Sequence, residues 1–149
     1  MGDEALRAYV DGLAVPDLGE PAFVTPPALS SATVAIVTTA AIHRVHDAGF
    51  GAADVGAREI PREARDLVLG HWSPNFDRTG FAADLEVVFP IDRLEELAAR
   101  GEIGAVAPRH FAFAGNQDDS VTRVRLDSGP QVARVLRDDG VDVVLLTPV

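Results

Sequence analysis

Three short apolar runs constrain this chain more than anything else in it: Val34–Thr39 (VAIVTT), Ile103–Ala107 (IGAVA) and Val141–Leu146 (VDVVLL). Each has the length of a strand, and its apolar character is nearly continuous rather than alternating. Such a strand is dry on both faces, as in a parallel sheet covered by helices. Helical patterns stand where that sheet needs them. Ile91, Leu94, Leu97 and Ala98 recur at helical spacing before the second run, with Glu95, Glu96 and Arg100 between them and Gly101 as the stop. Gly129-Pro130 opens a helix with Val132, Val135 and Leu136 inward, Arg137 in its last turn and Gly140 at its end. The expected fold is a three-layer α/β domain over residues 31–149, with a mainly parallel sheet and flanking helices.

Residues 1–30 read as a lead-in. Asp3 caps a short helix to Leu13, with Leu6, Tyr9, Val10 and Leu13 on one side. Pro16, Pro21, Pro26 and Pro27 make Val15–Pro27 an arm or linker rather than a regular element. Inside the domain, Asp47–Ala57 is Gly- and Ala-rich and reads as a loop. Arg58–Pro61 is extended, and Pro61 is placed to open a helix from Arg62 to Leu69. Asp84–Phe89 alternates as a strand, with Asp84 and Glu86 on one face. His110–Phe113 is short and aromatic, and Asn116–Asp119 is a polar turn. Val121–Leu126 fits either a strand or an irregular arm.

Composition removes several chemistries. With a net charge of −10, neither a phosphate backbone nor an anionic membrane surface is an expected partner. No apolar run approaches the ~20 residues of a bilayer span, and the acidic N-terminus does not resemble a signal peptide, so a cytoplasmic location is expected. The chain has no Cys, which excludes a thiolate nucleophile and a cysteine zinc site within it. It also has no Lys, all 13 basic residues being Arg, so no Schiff base and no phosphate-loop lysine is available. No GxGxxG follows a strand, which leaves a dinucleotide fingerprint unsupported.

Open α/β sheets place their sites where parallel strands end. On that rule the candidates are Thr38, Thr39, His43, His71, Asp77, Arg109, His110 and Thr147. Arg109 offers the forked geometry that pairs a carboxylate, and His71 or His110 could deliver a proton near neutral pH. Replacing Arg109 by Ala is expected to weaken carboxylate ligands without unfolding the domain. The segment Gly70–Arg78 gathers the only Trp with His71 and Asp77, as a substrate-facing loop or a core plug. His43 and His46 are three apart and could share a helix face. With Asp77 and Asp84 they would give a metal hydrolase, or else they are surface imidazoles. No metal site is expected.

Several motifs together resemble the selenoprotein B family: VAIVTTAAIH (Val34–His43), REIP (Arg58–Pro61), HxxxNFD (His71–Asp77), VFPIDRLEELAARGEIGAVAPRHFAFAG (Val88–Gly115) and GVDVVLLTPV (Gly140–Val149). That family supplies the substrate-binding component of glycine, sarcosine and betaine reductases, with a relative in D-proline reductase. The resemblance runs from about Ser31 to the end of the chain. It departs at Glu86, where a small amide-type residue is expected, and at Gly56-Ala57, where a bulkier pair is expected. It implies reductive cleavage of a C–N bond alpha to a carboxylate, with a selenolate or thiolate attacking carbon as nitrogen leaves. It further implies a small amine or amino-acid substrate and a partner reductase subunit or a homo-oligomer. The run ending in Thr147-Pro148-Val149 is similar to the one that leads into the family's redox Cys or selenocysteine. No cofactor is therefore expected within the chain, and the redox residue is expected just beyond Val149. A redox-inactive module that binds a small molecule or a subunit is the other reading.

Overall fold

The computed structural model describes residues 2–12, 17, 19, 24–71, 78–115, 117 and 121–149. The expectations placed on Leu13, Pro16, Pro21, Trp72–Asp77, Asn116 and Asp119 lie outside those residues. In chain order the described elements are α1 (Asp3–Asp11), β1 (Thr33–Thr38), β2 (Ile42–Arg44), β3 (Arg58–Pro61), β4 (Leu67–Leu69), α2 (Thr79–Ala83), α3 (Ile91–Ala99), β5 (Ala105–Val106), β6 (Arg109–Ala112), α4 (Gly129–Asp138) and β7 (Val143–Thr147).

β1 is the middle of the main sheet. It pairs in parallel with β5, β6 and β7, and β3 adds an antiparallel edge beyond β6. β7 pairs with Val34–Thr38 along one edge of β1, so β5 and β6 lie end to end along the other. Their registers differ. Thr33 faces Ala105, an offset of 72, and Val37 faces Phe111, an offset of 74. Two extra residues are thus inserted between β5 and β6, a bulge that interrupts what the sequence reads as one strand over Ile103–Ala107.

Both faces of β1 are covered, which makes three layers. Val34 and Ile36 of β1 pack in one cluster with Ile91 and Leu94 of α3 and with Phe89 and Ile103. Ala35 packs on the opposite face with Phe111, Phe113 and the Val132 and Leu136 of α4. One residue of β1 thus serves one layer and its neighbour the other, as the period-two side-chain alternation of a strand requires. The α/β class and the mainly parallel sheet are as expected. Gly101 ends α3 with φ +71, its N–H donating to Ala98 and that of Glu102 to Leu97, a pair that satisfies the last helical carbonyls.

Four local expectations are corrected. Arg62–Leu69 is not a helix: Pro61 is the last residue of β3, a turn follows, and Leu67–Leu69 pairs antiparallel with Ile42–Arg44. Arg62 and Arg65 hold that turn against α3 through ion pairs with Glu95 and Asp92. Asp84–Phe89 is not a strand. Asp84 accepts the Glu86 N–H and caps a single 3-10 turn, and the Glu86 carboxylate accepts the N–H groups of Asp92 and Arg93 at the start of α3. The two carboxylates are therefore caps, each satisfying backbone donors that a helix start leaves open. His43 lies on β2, so it shares no helix face with His46. Val121–Leu126 is neither strand nor arm: a π-helical turn over Val124–Ser128 runs straight into α4.

Candidate functional site

The C-terminal ends of β1 and β7 meet in a tight polar knot. The Thr39 N–H and the Thr38 hydroxyl both donate to the Thr147 carbonyl, at 3.2 Å each. The Thr38 hydroxyl also accepts the Ala40 N–H, which turns the chain out of β1. Thr39 Oγ1 accepts the Val149 N–H at 2.8 Å and donates to the Val149 carbonyl at 3.2 Å, so one side chain holds both backbone groups of that residue. The Thr147 hydroxyl donates to the Val88 carbonyl at 2.7 Å. Hydroxyl residues at a strand end can do this because they offer a donor and an acceptor on a short stem.

His71 stands at the same place. A Cβ added to Gly115 would lie 3.3 Å from His71 Nε2, 2.9 Å from the Thr39 carbonyl and 2.6 Å from that of Val149. Gly115 therefore marks the point where three segments converge with no room for a side chain. The His71 ring is mostly buried, and its carbonyl accepts Nε and Nη2 of Arg78 at 3.1 and 2.6 Å. Burial, with the nearby Arg78 charge, holds the imidazole pKa below its ordinary value. The ring is consequently neutral at pH 7. Sequence reasoning selected Thr38, Thr39, His71 and Thr147 but missed Gly115 and Arg78. The small Ala114-Gly115 pair after an aromatic strand is the signal that would have found the first.

Arg109, His43 and His110 are not part of this knot. Arg109 opens β6 and is committed to protein carboxylates: Nε and Nη2 fork onto Asp139 at 2.7 and 3.0 Å, and Nη1 donates to Glu59 at 3.1 Å. Those two carboxylates raise its pKa and supply the partners a substrate carboxylate would have to displace. His43 is partly buried, its Nδ1 lies 2.8 Å from the Arg44 carbonyl, and its ring packs edge-on to Phe50 and against Gly70. Asp77 lies outside the described residues. Among the described residues, no three His, Cys, Asp or Glu are grouped to hold a metal ion.

His110 is engaged by the backbone of the sheet. It is 0% exposed and is the second residue of β6, just before the pairing of that strand with β1 begins at Phe111. The bulge deprives the Ile36 N–H of a carbonyl, and His110 Nδ1 accepts that N–H at 2.9 Å. A buried amide with no acceptor would cost about 1–3 kcal/mol, so the ring completes the sheet where backbone pairing fails. Accepting at Nδ1 requires the neutral ring, which stacks edge-on to Phe89 at 5.4 Å. Burial pushes the His110 pKa down to about 4.

That depression has a signed consequence. The unfolded ring titrates near 6.5 and the folded one near 4, so the folded state binds fewer protons between those values. The stability contributed by the neutral ring is present above pH 6.5 and is lost as pH falls toward 4, about 3 kcal/mol in all. Urea midpoints measured at pH 7, 6, 5 and 4 should fall steadily, and a flat profile over that window would remove His110 from the account.

These features define an open α/β domain with a polar site at the carboxyl edge of its parallel strands, the place where sheets of this class carry ligands. Comparison with known proteins gives two relatives. The chain is similar to D-proline reductase subunit gamma of Acetoanaerobium sticklandii, 38% identical over 122 residues, covering 80% of this chain and 49% of that protein. It is also similar to glycine reductase complex component B subunit gamma of Carboxydothermus hydrogenoformans, 28% identical over 129 residues, covering 28% of that protein. This chain is thus similar to subunits of a D-proline reductase and of a glycine reductase. It spans about half the length of the first relative and about a quarter of the second. No family model and no solved structure matches it. Among the described residues no helix is long and apolar enough to cross a membrane.

Proposed function

We propose that this chain is the α/β portion of a cytoplasmic selenoprotein-B-type reductase subunit, an oxidoreductase of amino-acid metabolism, and that a small amine or amino acid is cleaved at the β1–β7 carboxyl edge. The observation that carries the reading is the convergence of His71 Nε2, Thr39 and Gly115 at one strand edge. The likeness to D-proline and glycine reductase subunits supports the reaction class. The attacking thiolate or selenolate comes from outside the 149 residues, either from a residue just beyond Val149 or from a partner subunit.

In this reading the chalcogen forms a bond to the α-carbon as the C–N bond breaks. Nitrogen keeps the bonding pair and takes a proton; it leaves as the amine from an open-chain substrate and stays on the same molecule when the ring of D-proline opens. A second thiol then attacks the bound chalcogen and its proton passes to the α-carbon, which releases the reduced acid and leaves a chalcogen–sulfur bond. The neutral His71 ring is suited to take the thiol proton and pass it to the departing nitrogen, since its lowered pKa makes the protonated form a readier donor. Thr38, Thr39 and Thr147 act by position, holding the edge into which the nucleophile is delivered. Arg109 and His110 play structural parts, and His43 lines the neighbouring small sheet.

The test is dithiol-dependent turnover of D-proline by the assembled reductase, with the chain continued past Val149. His71→Gln should lower kcat by about 10²-fold or more, the ordinary size of an acid–base contribution. Full turnover by that variant would take His71 out of the chemistry. The absence of a nucleophile in the chain itself favours a second reading, a module that binds without turning over. Binding of D-proline with no dithiol-dependent turnover in the assembled reductase would select it.

A further inference from the structure

β7 leaves one edge of the main sheet open. It pairs with β1 along one edge, and among the described residues no strand pairs with the other. Strands of a parallel sheet are ordinarily buried on both faces. Here Val144, Leu145 and Leu146 are 37, 37 and 67% exposed, and Val87, next to the Val88 carbonyl that anchors Thr147, is 62% exposed. Proteins blunt a free edge with charge, Pro, a bulge or extreme shortness. VVLLT has none of the first three, and its five residues all pair in regular register with β1.

The direction of the free backbone groups follows from the register. The Thr39 N–H donates to the Thr147 carbonyl, so Thr147 faces β1, as do Leu145 and Val143. Val144 and Leu146 then aim their N–H and carbonyl groups at the open edge. Apolar side chains and unpaired backbone groups thus coincide on one short strand. That is what a strand-adding partner needs: main-chain bonds for affinity and alternate side chains for specificity.

We propose that the open edge of β7 is the docking site of a further β-strand, and that this strand belongs to the polypeptide homologous to the part of the D-proline reductase gamma subunit that this chain does not match. Coverage argues for that occupant. The match takes in 80% of this chain but only 49% of the relative, so about half of that subunit has no counterpart in the matched residues. A sheet whose apolar edge is open and a subunit with that much further polypeptide fit each other. A helix following the added strand would cover Val144 and Leu146 as α3 and α4 cover β1. The proposal does not depend on the chemistry assigned to His71, since it concerns what lies beside β7 whether or not the site turns over.

The experiment places a photoreactive benzophenone amino acid at Leu146, and separately at Val144, in the protein expressed in its own cells. Irradiation should give one dominant cross-link at each position, to a strand-like peptide whose sequence aligns with the unmatched part of the D-proline reductase gamma subunit. The same residue at Glu96 on the exposed face of α3 should give none. Leu146→Pro removes an outward N–H and spares the bonds to β1, so it should cut the cross-link from Val144 at least about tenfold with little change in the far-ultraviolet spectrum. Should Leu146→Pro fail to fold, Leu146→Lys gives the same reading through charge on the edge. Cross-links that join two copies of this chain, that reach unrelated proteins, or that do not form would overturn the proposal, as would a yield from Val144 unchanged by Leu146→Pro or Leu146→Lys.

Discussion

His110→Ala should destabilise the domain by about 3–5 kcal/mol, a large share of the stability of an ordinary domain of this size. Two effects add. Truncating a fully buried ring leaves a cavity against Phe89, and the Ile36 N–H loses its acceptor inside the sheet. The second effect separates this site from a mere core position. His110→Phe fills the space but accepts no hydrogen bond, so it should recover only part of the loss. Both variants should also lose the acid sensitivity expected between pH 6.5 and about 4, since the titrating group is gone. Urea unfolding of the three proteins at pH 7 and pH 4.5 checks this. If His110→Phe proves as stable as the parent, the imidazole is not completing the sheet.

The same residue shows what a sequence can and cannot reveal. The apolar runs and the helices α3 and α4 are legible because burial writes a period into the chain, two for strands and 3.6 for helices. Ile91, Leu94, Val132 and Leu136 all point inward as that period requires. A bulge writes no period. Nothing in AVAPRHFAF says that two extra residues lie between β5 and β6, so His110 reads as a polar residue at a strand end.

The partners of Arg109 were not legible for a related reason. Its partners Asp139 and Glu59 are 30 and 50 residues away, and only the fold brings their carboxylates to it. The stretch Arg62–Leu69 has the Pro and the charges of a helix start, yet tertiary pairing of Leu67–Leu69 with Ile42–Arg44 overrides them. Thr38, Thr39 and Thr147 were legible because hydroxyl residues directly after two apolar runs have few other reasons to sit there. What was not legible is that all three brace the edge through hydrogen bonds to backbone rather than standing open to a ligand.

The central claim is that the working edge lies at the knot of β1 and β7 and that Arg109 is outside it. Thr39→Val removes the hydroxyl that holds both backbone groups of Val149 while keeping the shape of the side chain. Arg109→Gln removes a cation that two protein carboxylates already occupy. Thr39→Ser restores the hydroxyl and serves as the rescue. The most direct measurement is dithiol-dependent turnover of D-proline by the assembled reductase carrying each of the three. The account predicts a fall of about tenfold or more in kcat for Thr39→Val, recovery for Thr39→Ser, and turnover near the parent value for Arg109→Gln. Turnover lost with Arg109→Gln and kept with Thr39→Val would contradict it.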